Sequence, residues 1–309
     1  MKNKLKKGLL VGGMLLSSLL VTGCKQDVAS QAATEVAKER LSVYTTFYPI
    51  YEVTKYIVGD VGDVEVLMKN TDPHSFEPST RDVAELYDAD VFVYHSHTFE
   101  KWTEELQVNL AEMEIPSIEA ADSLELQVVE GLEEFGDLEN ASDPHTWLDP
   151  LLIGQEALNI GEQLAEVDAE HKEHYLATSQ EFNQQMIALD QKYQEVFKDK
   201  KQRYFVTQHT AFSYLAERYG LKQLGIAGVS NELEPNSRQL AEVEEFVKAN
   251  HVDVIYTESN SSPKIAKVIQ DATGAQLKVL SPLETDPANG KDFIENLAFD
   301  LETIAKNMK

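Results

Sequence analysis

The chain has 309 residues, long enough for two domains of ordinary size, and carries 53 acidic against 27 basic residues for a net charge of −26. Such a surface argues against nucleic-acid binding and against adsorption to anionic lipid, and it keeps an exported protein in solution. The single cysteine excludes an intrachain disulfide and any cage of thiolates.

Lys2, Lys4, Lys6 and Lys7 precede an apolar stretch that runs to Val21 and ends in Thr22-Gly23-Cys24. Charge, a short hydrophobic core and small residues make a secretory leader, too short for a comfortable membrane span. Val21-Thr22-Gly23-Cys24 resembles the bacterial lipobox, which implies cleavage before Cys24 and acylation of its sulfur. Residues 1–23 are therefore expected to be removed, taking the net charge to −30, because the leader holds four lysines and no acid. Residues 24–40 are polar and without apolar period, and read as a tether between lipid and folded body.

From Leu41 onward, strand-like runs alternate with amphipathic helical ones. Residues 42–47, 64–68 and 91–94 are predicted strands. A helix is predicted over 79–88, with Ser79 and Asp82 as a capping box. Asp149-Pro150 starts another, Asp as N-cap and Pro in the first turn. Residues 168–198 contain no glycine or proline and place Tyr175, Phe182, Met186, Leu189, Tyr193 and Phe197 near helical spacing. A helix that long is read as a strut between lobes. Beyond it, strands are predicted at 203–207, 252–256 and 276–280, and helices at 210–219, 237–250 and 263–273. Gly220 and Gly274 stand where two of these helices must stop. This pattern predicts two α/β lobes with mainly parallel sheets, at 41–166 and 201–309, joined by one long rigid helix at 167–200.

In parallel sheets ligands bind beyond the carboxyl ends of strands. His74, His209 and Glu284 follow predicted strands closely. Asp-Pro-His occurs twice, at Asp72-Pro73-His74 and Asp143-Pro144-His145, and proline stiffens each turn. Separated, stiffened loops delivering imidazoles are how a folded protein builds a metal cage. His145 follows no predicted strand and is placed by its motif alone.

At these residues the chain resembles the zinc branch of the metal-binding solute-binding lipoproteins of bacterial ABC importers, and within it the streptococcal-type zinc- and laminin-binding lipoproteins. The resemblance covers residues 41–306. It is carried by Asp72-Pro73-His74-Ser75-Phe76-Glu77-Pro78, by Asp143-Pro144-His145-Thr146-Trp147-Leu148-Asp149-Pro150, by Val206-Thr207-Gln208-His209-Thr210-Ala211-Phe212-Ser213-Tyr214 and by Ser281-Pro282-Leu283-Glu284. It implies two Rossmann-like lobes bridged by a rigid helix, with His74, His145, His209 and Glu284 holding Zn²⁺ between them. Three imidazoles and one carboxylate also suit Zn²⁺ on chemical grounds, whereas Mn²⁺ relatives use two histidines and two carboxylates. His209 is thus the discriminator against a manganese receptor. Glu258 and Asp286 are rival acids to Glu284. Glu258 and Asp149 are candidates to orient the imidazoles from behind.

The resemblance further implies a monomeric, non-enzymatic receptor on the outer face of the cell membrane, with an ABC permease and its ATPase as partners. It allows laminin binding as a secondary activity. The absence of His-Glu-x-x-His and a full set of four protein ligands argue against a metalloenzyme. His95 and His97 are expected to pack or to line the entrance rather than to ligate, and His171, His174 and His251 to lie on the surface. Many zinc relatives carry a histidine-rich loop before the second Asp-Pro-His. Here residues 122–142 hold no histidine but include Glu125, Glu130, Glu133, Glu134, Asp137 and Glu139, and are expected to form a solvated acidic loop.

Overall fold

The computed structural model describes residues 40–127, 142–228, 235–258 and 262–309. The leader, Cys24, the tether up to residue 39 and residues 128–141 of the acidic segment lie outside them. No helix among the described residues is long and apolar enough to cross a membrane.

In the first half, β1 (Leu41–Thr45), α1 (Tyr48–Val58), β2 (Gly62–Val66), α2 (Thr80–Leu86), β3 (Val91–Tyr94), α3 (Thr103–Glu112) and β4 (Ser117–Glu119) follow in turn. The strands form one sheet in the order β2-β1-β3-β4. Every pairing is parallel, with Val43 opposite both Val64 and Val91. All four residues of β3 are buried, as a central strand covered on both faces requires. The predicted capping box is present at α2: Ser79 Oγ accepts from the Asp82 N–H, and the Asp82 carboxylate accepts from the Ser79 N–H.

A helical hairpin, α4 (Pro150–Val167) and α5 (Lys172–Lys198), links the halves. The second half repeats the design with β5 (Tyr204–Thr207), α6 (Ser213–Arg218), β6 (Lys222–Gly225), α7 (Ser237–Ala249), β7 (Val254–Thr257), α8 (Lys264–Thr273) and β8 (Gln276–Val279). These strands are also all parallel, in the order β6-β5-β7-β8. α8 stops at Gly274, whose φ of +79° few other residues tolerate. α9 (Phe293–Asn307) closes the chain.

The long helix differs from its prediction in two respects. It begins at Lys172 instead of Asp168, because the Asp168 N–H bonds the Leu164 carbonyl and ends α4. The Asp168 carboxylate then takes His171 Nδ1 at 2.6 Å and the Tyr175 hydroxyl at 3.0 Å, which fixes the turn. Its 27 residues span about 40 Å. Nor is it a bare strut. Gly154 and Gly161 lie seven apart on one face of α4, where an added Cβ would strike Asn183 and Ser179 of α5. Phe182 of α5 packs on Tyr56 of α1 at 5.4 Å and on Phe293 of α9 at 6.5 Å between ring centroids. One apolar core cluster therefore runs from Val43 to Met308 through both halves, and one face of the connecting helix, from Tyr175 to Phe197, is packed into it.

Candidate metal centre

Each Asp-Pro-His motif folds the same way. Asp72 Oδ1 accepts from the His74 backbone N–H at 2.9 Å, and Asp143 Oδ1 accepts from the His145 N–H at 3.0 Å. Proline keeps the preceding aspartate out of the helical region, so its side chain closes a tight turn onto the histidine. A single 3-10 turn follows or includes each histidine, at Pro73–Ser75 and Thr146–Leu148. His74 lies beyond the carboxyl end of β2, and His145 lies between β4 and α4.

In the second half His209 sits two residues past β5. Its carbonyl accepts from Thr207 Oγ1 at 2.6 Å and from Gln223 Nε2 at 3.0 Å, which pins the turn. Glu284 follows β8 through Ser281-Pro282-Leu283. Leu283 is buried and holds a φ of +53°, a strained conformation for a γ-branched residue that its surroundings must enforce.

The three imidazoles and Glu284 meet at one point. One ligand atom from each lies within 4.8 Å of all the others. Glu284 Oε1 is 3.1 Å from His74 Nε2, 3.3 Å from His145 Nε2 and 3.1 Å from His209 Nε2, and the last two nitrogens are 3.3 Å apart. Bonds of about 2.0–2.1 Å to a tetrahedral Zn²⁺ give ligand separations of about 3.3 Å. The donor set suits that ion, and four of its six separations match the expected edge. Side chains of His145 and His209 are fully buried, that of Glu284 is 3% exposed, and His74, at 8%, is the one nearest solvent. Four protein donors bound to one ion would fill a tetrahedral coordination sphere.

Behind the rings stand two carboxylates. Glu258, one residue past β7, lies 2.5 Å from His209 Nδ1, and Asp143 Oδ1 lies 2.7 Å from His145 Nδ1. Each leaves Nε2 to face the centre and makes the ring a better donor. Asp143 is not among the orienting residues expected from the sequence, although its place two residues before His145 is the signal. The expectation for Asp149 is not met. Its carboxylate caps α4 through the Leu151 and Leu152 N–H groups and pairs with Arg218 Nε at 2.8 Å, and none of these bonds reaches an imidazole. Asp286, the rival acid, is exposed and accepts from the Ala288 N–H.

Charge in the metal-free centre follows from this packing. Burial disfavours a charged His209, yet the carboxylates of Glu284 and Glu258 outweigh it and push its pKa up to about 10. Burial likewise opposes charge on His145, and hydrogen bonds to Asp143 and Glu284 reverse the balance and raise it. For Glu284 burial acts upward, but the His209 charge and the bonds from all three rings hold it well below the usual carboxylate range.

The other histidines stand apart. His95 is buried without joining the four, and His97 is exposed beside Glu119, with Nδ1 at 2.8 Å from Oε1. His251 is exposed. His171 and His174 are half-buried instead of lying free on the surface, and His174 Nε2 bonds the Val58 carbonyl at the end of α1 at 3.0 Å.

A family model described as zinc-uptake complex component A, periplasmic, matches residues 43–307. The high-affinity zinc uptake system protein ZnuA of Bacillus subtilis is 38% identical over 303 residues, covering 94% of each chain. The zinc-binding lipoprotein AdcA of Streptococcus pneumoniae is 35% identical over 301 residues, and the chain spans 94% of its own length but only 60% of AdcA. The Zn(II)-bound crystal structure of AdcA matches with a TM-score of 0.75. The laminin-binding protein Lmb of Streptococcus agalactiae, described as bifunctional with adhesin and metal-transporting activity, matches with a TM-score of 0.81 and 45% identity over 87% of this chain and all of Lmb. With both halves, the buried imidazole cage and these relatives in agreement, the chain belongs to the zinc-uptake complex component A family.

Proposed function

We propose that the protein is an extracytoplasmic receptor that captures Zn²⁺ between its two halves and passes it to an ABC permease driven by a cytoplasmic ATPase. His74, His145, His209 and Glu284 are the ligands, with Glu258 and Asp143 fixing the orientation of two rings. The observation that carries this reading is the convergence of four donors from distant parts of the chain to within 4.8 Å of one another, with four of their six separations at 3.1–3.3 Å. Three neutral imidazoles favour Zn²⁺ over Mn²⁺, for which carboxylate-rich sites are better suited. Acylation at Cys24 would hold the receptor at the membrane surface, within reach of the permease. Elemental analysis of protein purified without added metal, followed by zinc–manganese competition, tests the assignment. Bound zinc that excess manganese does not displace is expected, and manganese bound in preference to zinc would overturn it.

A second reading is supported by the likeness to Lmb, whose description includes adhesin activity. Under it the same protein also binds laminin. Specific binding that saturates for both metal-free and zinc-loaded protein is the expected result for an adhesin, and no saturable binding in either state would remove this reading.

A further inference from the structure

His95 directly follows β3, has no solvent exposure and contributes nothing to the four-donor cage. Its backbone N–H and that of Ser96 both donate to Glu100 Oε2, at 2.7 and 3.1 Å, so the main chain here is fixed. Its ring is fixed as well. Nε2 lies 2.9 Å from Thr146 Oγ1, and Thr146 Oγ1 donates to Glu156 Oε1 at 2.5 Å. The Thr146 hydroxyl has one proton and gives it to the carboxylate. His95 Nε2 must therefore carry the proton shared with Thr146, while Nδ1 faces Ser96 Oγ at 3.1 Å.

Glu156 is buried in α4 with no exposure, and its Oε2 has no hydrogen-bond partner among the described residues. Apolar residues would fill this space at lower electrostatic cost. What the polar chain supplies is direction, since each bond has one donor, one acceptor and a narrow range of angles. Thr146 is the residue after His145. The His95 ring also meets Trp147 edge-on at 5.2 Å, and Trp147 packs on His145 at 5.0 Å. On its other side His95 meets Phe99 at 6.0 Å, and Phe99 meets the His74 ring edge-on at 5.0 Å.

We propose that His95 is a positioning residue for metal capture, holding His145 through Thr146 and Trp147 and His74 through Phe99. It aims both imidazoles of the first half from a single buried anchor, with Glu156 setting the direction of the chain Glu156–Thr146–His95. The proposal rests on the ligand assignment above and adds to it a determinant with no ligand atom.

Zinc affinity by chelator competition, the visible spectrum of the Co²⁺ adduct and melting of the metal-free protein together test it. His95→Leu and Thr146→Val are each expected to weaken zinc binding ten- to hundredfold, the usual range for groups that orient metal ligands, and to change the Co²⁺ spectrum. His95→Gln, whose amide can still donate to Thr146, and Thr146→Ser are expected to restore most of the affinity and the parent spectrum. A lower melting temperature for His95→Leu with unchanged affinity and spectrum would mean a packing role only and overturns the proposal. Parent-like zinc binding by Thr146→Val overturns it as well. Should His95→Leu fail to fold, the comparison of Thr146→Val with Thr146→Ser decides alone. His145→Ala separates the two readings. If that variant keeps the parent zinc affinity, the ligand assignment is wrong. If it loses zinc while Thr146→Val binds normally, the ligands stand and the positioning role falls.

Discussion

The Trp147 indole donates its Nε1–H to the Pro282 carbonyl at 2.8 Å, joining the two halves of the molecule. Trp147 is two residues after His145 and Pro282 is two before Glu284, so this bond ties together the segments that carry two members of the cage. The same seam is closed by the Tyr214 hydroxyl, which donates to the Asp143 carbonyl at 2.8 Å, and by the Arg218–Asp149 pair. The halves are thus registered by neutral and charged bonds immediately beside the site, and not by the connecting helix alone.

Trp147→Phe should therefore destabilise the metal-free protein. It leaves the Pro282 carbonyl without its donor and a gap in a fully packed region, with an expected loss of about 2–4 kcal/mol. Urea denaturation of the metal-free variant against the parent measures this. An unchanged midpoint would show that the seam contributes nothing to stability.

Glu258→Gln and Asp143→Asn should each weaken zinc binding by about ten- to hundredfold without loss of the fold. Both substitutions keep size but remove the carboxylate that fixes the ring and strengthens its donation. Competition with a chromophoric chelator reads the change, and circular dichroism checks the fold. Parent-like affinity in both would mean that the carboxylates do not orient the rings.

Proton release should accompany capture. The carboxylates of Glu284 and Glu258 push the His209 pKa up to about 10 against the effect of burial, so zinc binding at this ring should displace a proton. Calorimetric titrations at pH 7.5 in two buffers of different ionisation enthalpy should differ by the heat of that proton, and affinity should fall as pH is lowered. The sign for stability is opposite. A raised histidine pKa makes the native metal-free state bind more protons than the unfolded chain. Its contribution is full below the ordinary imidazole value of 6.5 and is lost as pH rises through about 10. Glu284 acts at the other end: its depressed pKa contributes above 4.5, and that contribution is lost as pH falls through the depressed value.

Zinc should raise the melting temperature of the parent, and a chelator should reverse the rise. At a free concentration one hundred times Kd, linkage gives about 2.7 kcal/mol. His209→Ala should melt cooperatively yet show little zinc-dependent shift, because the cage loses the donor from the turn after β5. A full shift in that variant would remove His209 from the site.

Much of this architecture was legible in local chemistry. Ser79 with Asp82, Asp149 with Pro150, and Gly274 mark helix ends whose partners lie within a few residues, and all three act as expected. Other elements carry weak local signals. β6 is Lys222-Gln223-Leu224-Gly225 and β4 has three residues, and both are strands because β5 and β3 offer them a paired edge. The turn between α4 and α5 reads as the start of the long helix because it uses neither glycine nor proline. Asp168, His171 and Tyr175 build that turn from side-chain bonds.

The amino-acid sequence alone determined the alternation of strand and helix, the two stiffened Asp-Pro-His turns and the identity of the residues able to bind a metal. These depend on backbone torsions, short-range capping and side-chain chemistry, which neighbours in the chain can specify. Only the tertiary structure decided that Asp149 pairs with Arg218, that His95 reaches Thr146 and Glu156, and that Trp147 meets Pro282. Those pairings link residues 10 to 135 positions apart. Hydrogen bonds act over about 3 Å, so their existence is settled by how the two sheets and the helical hairpin pack.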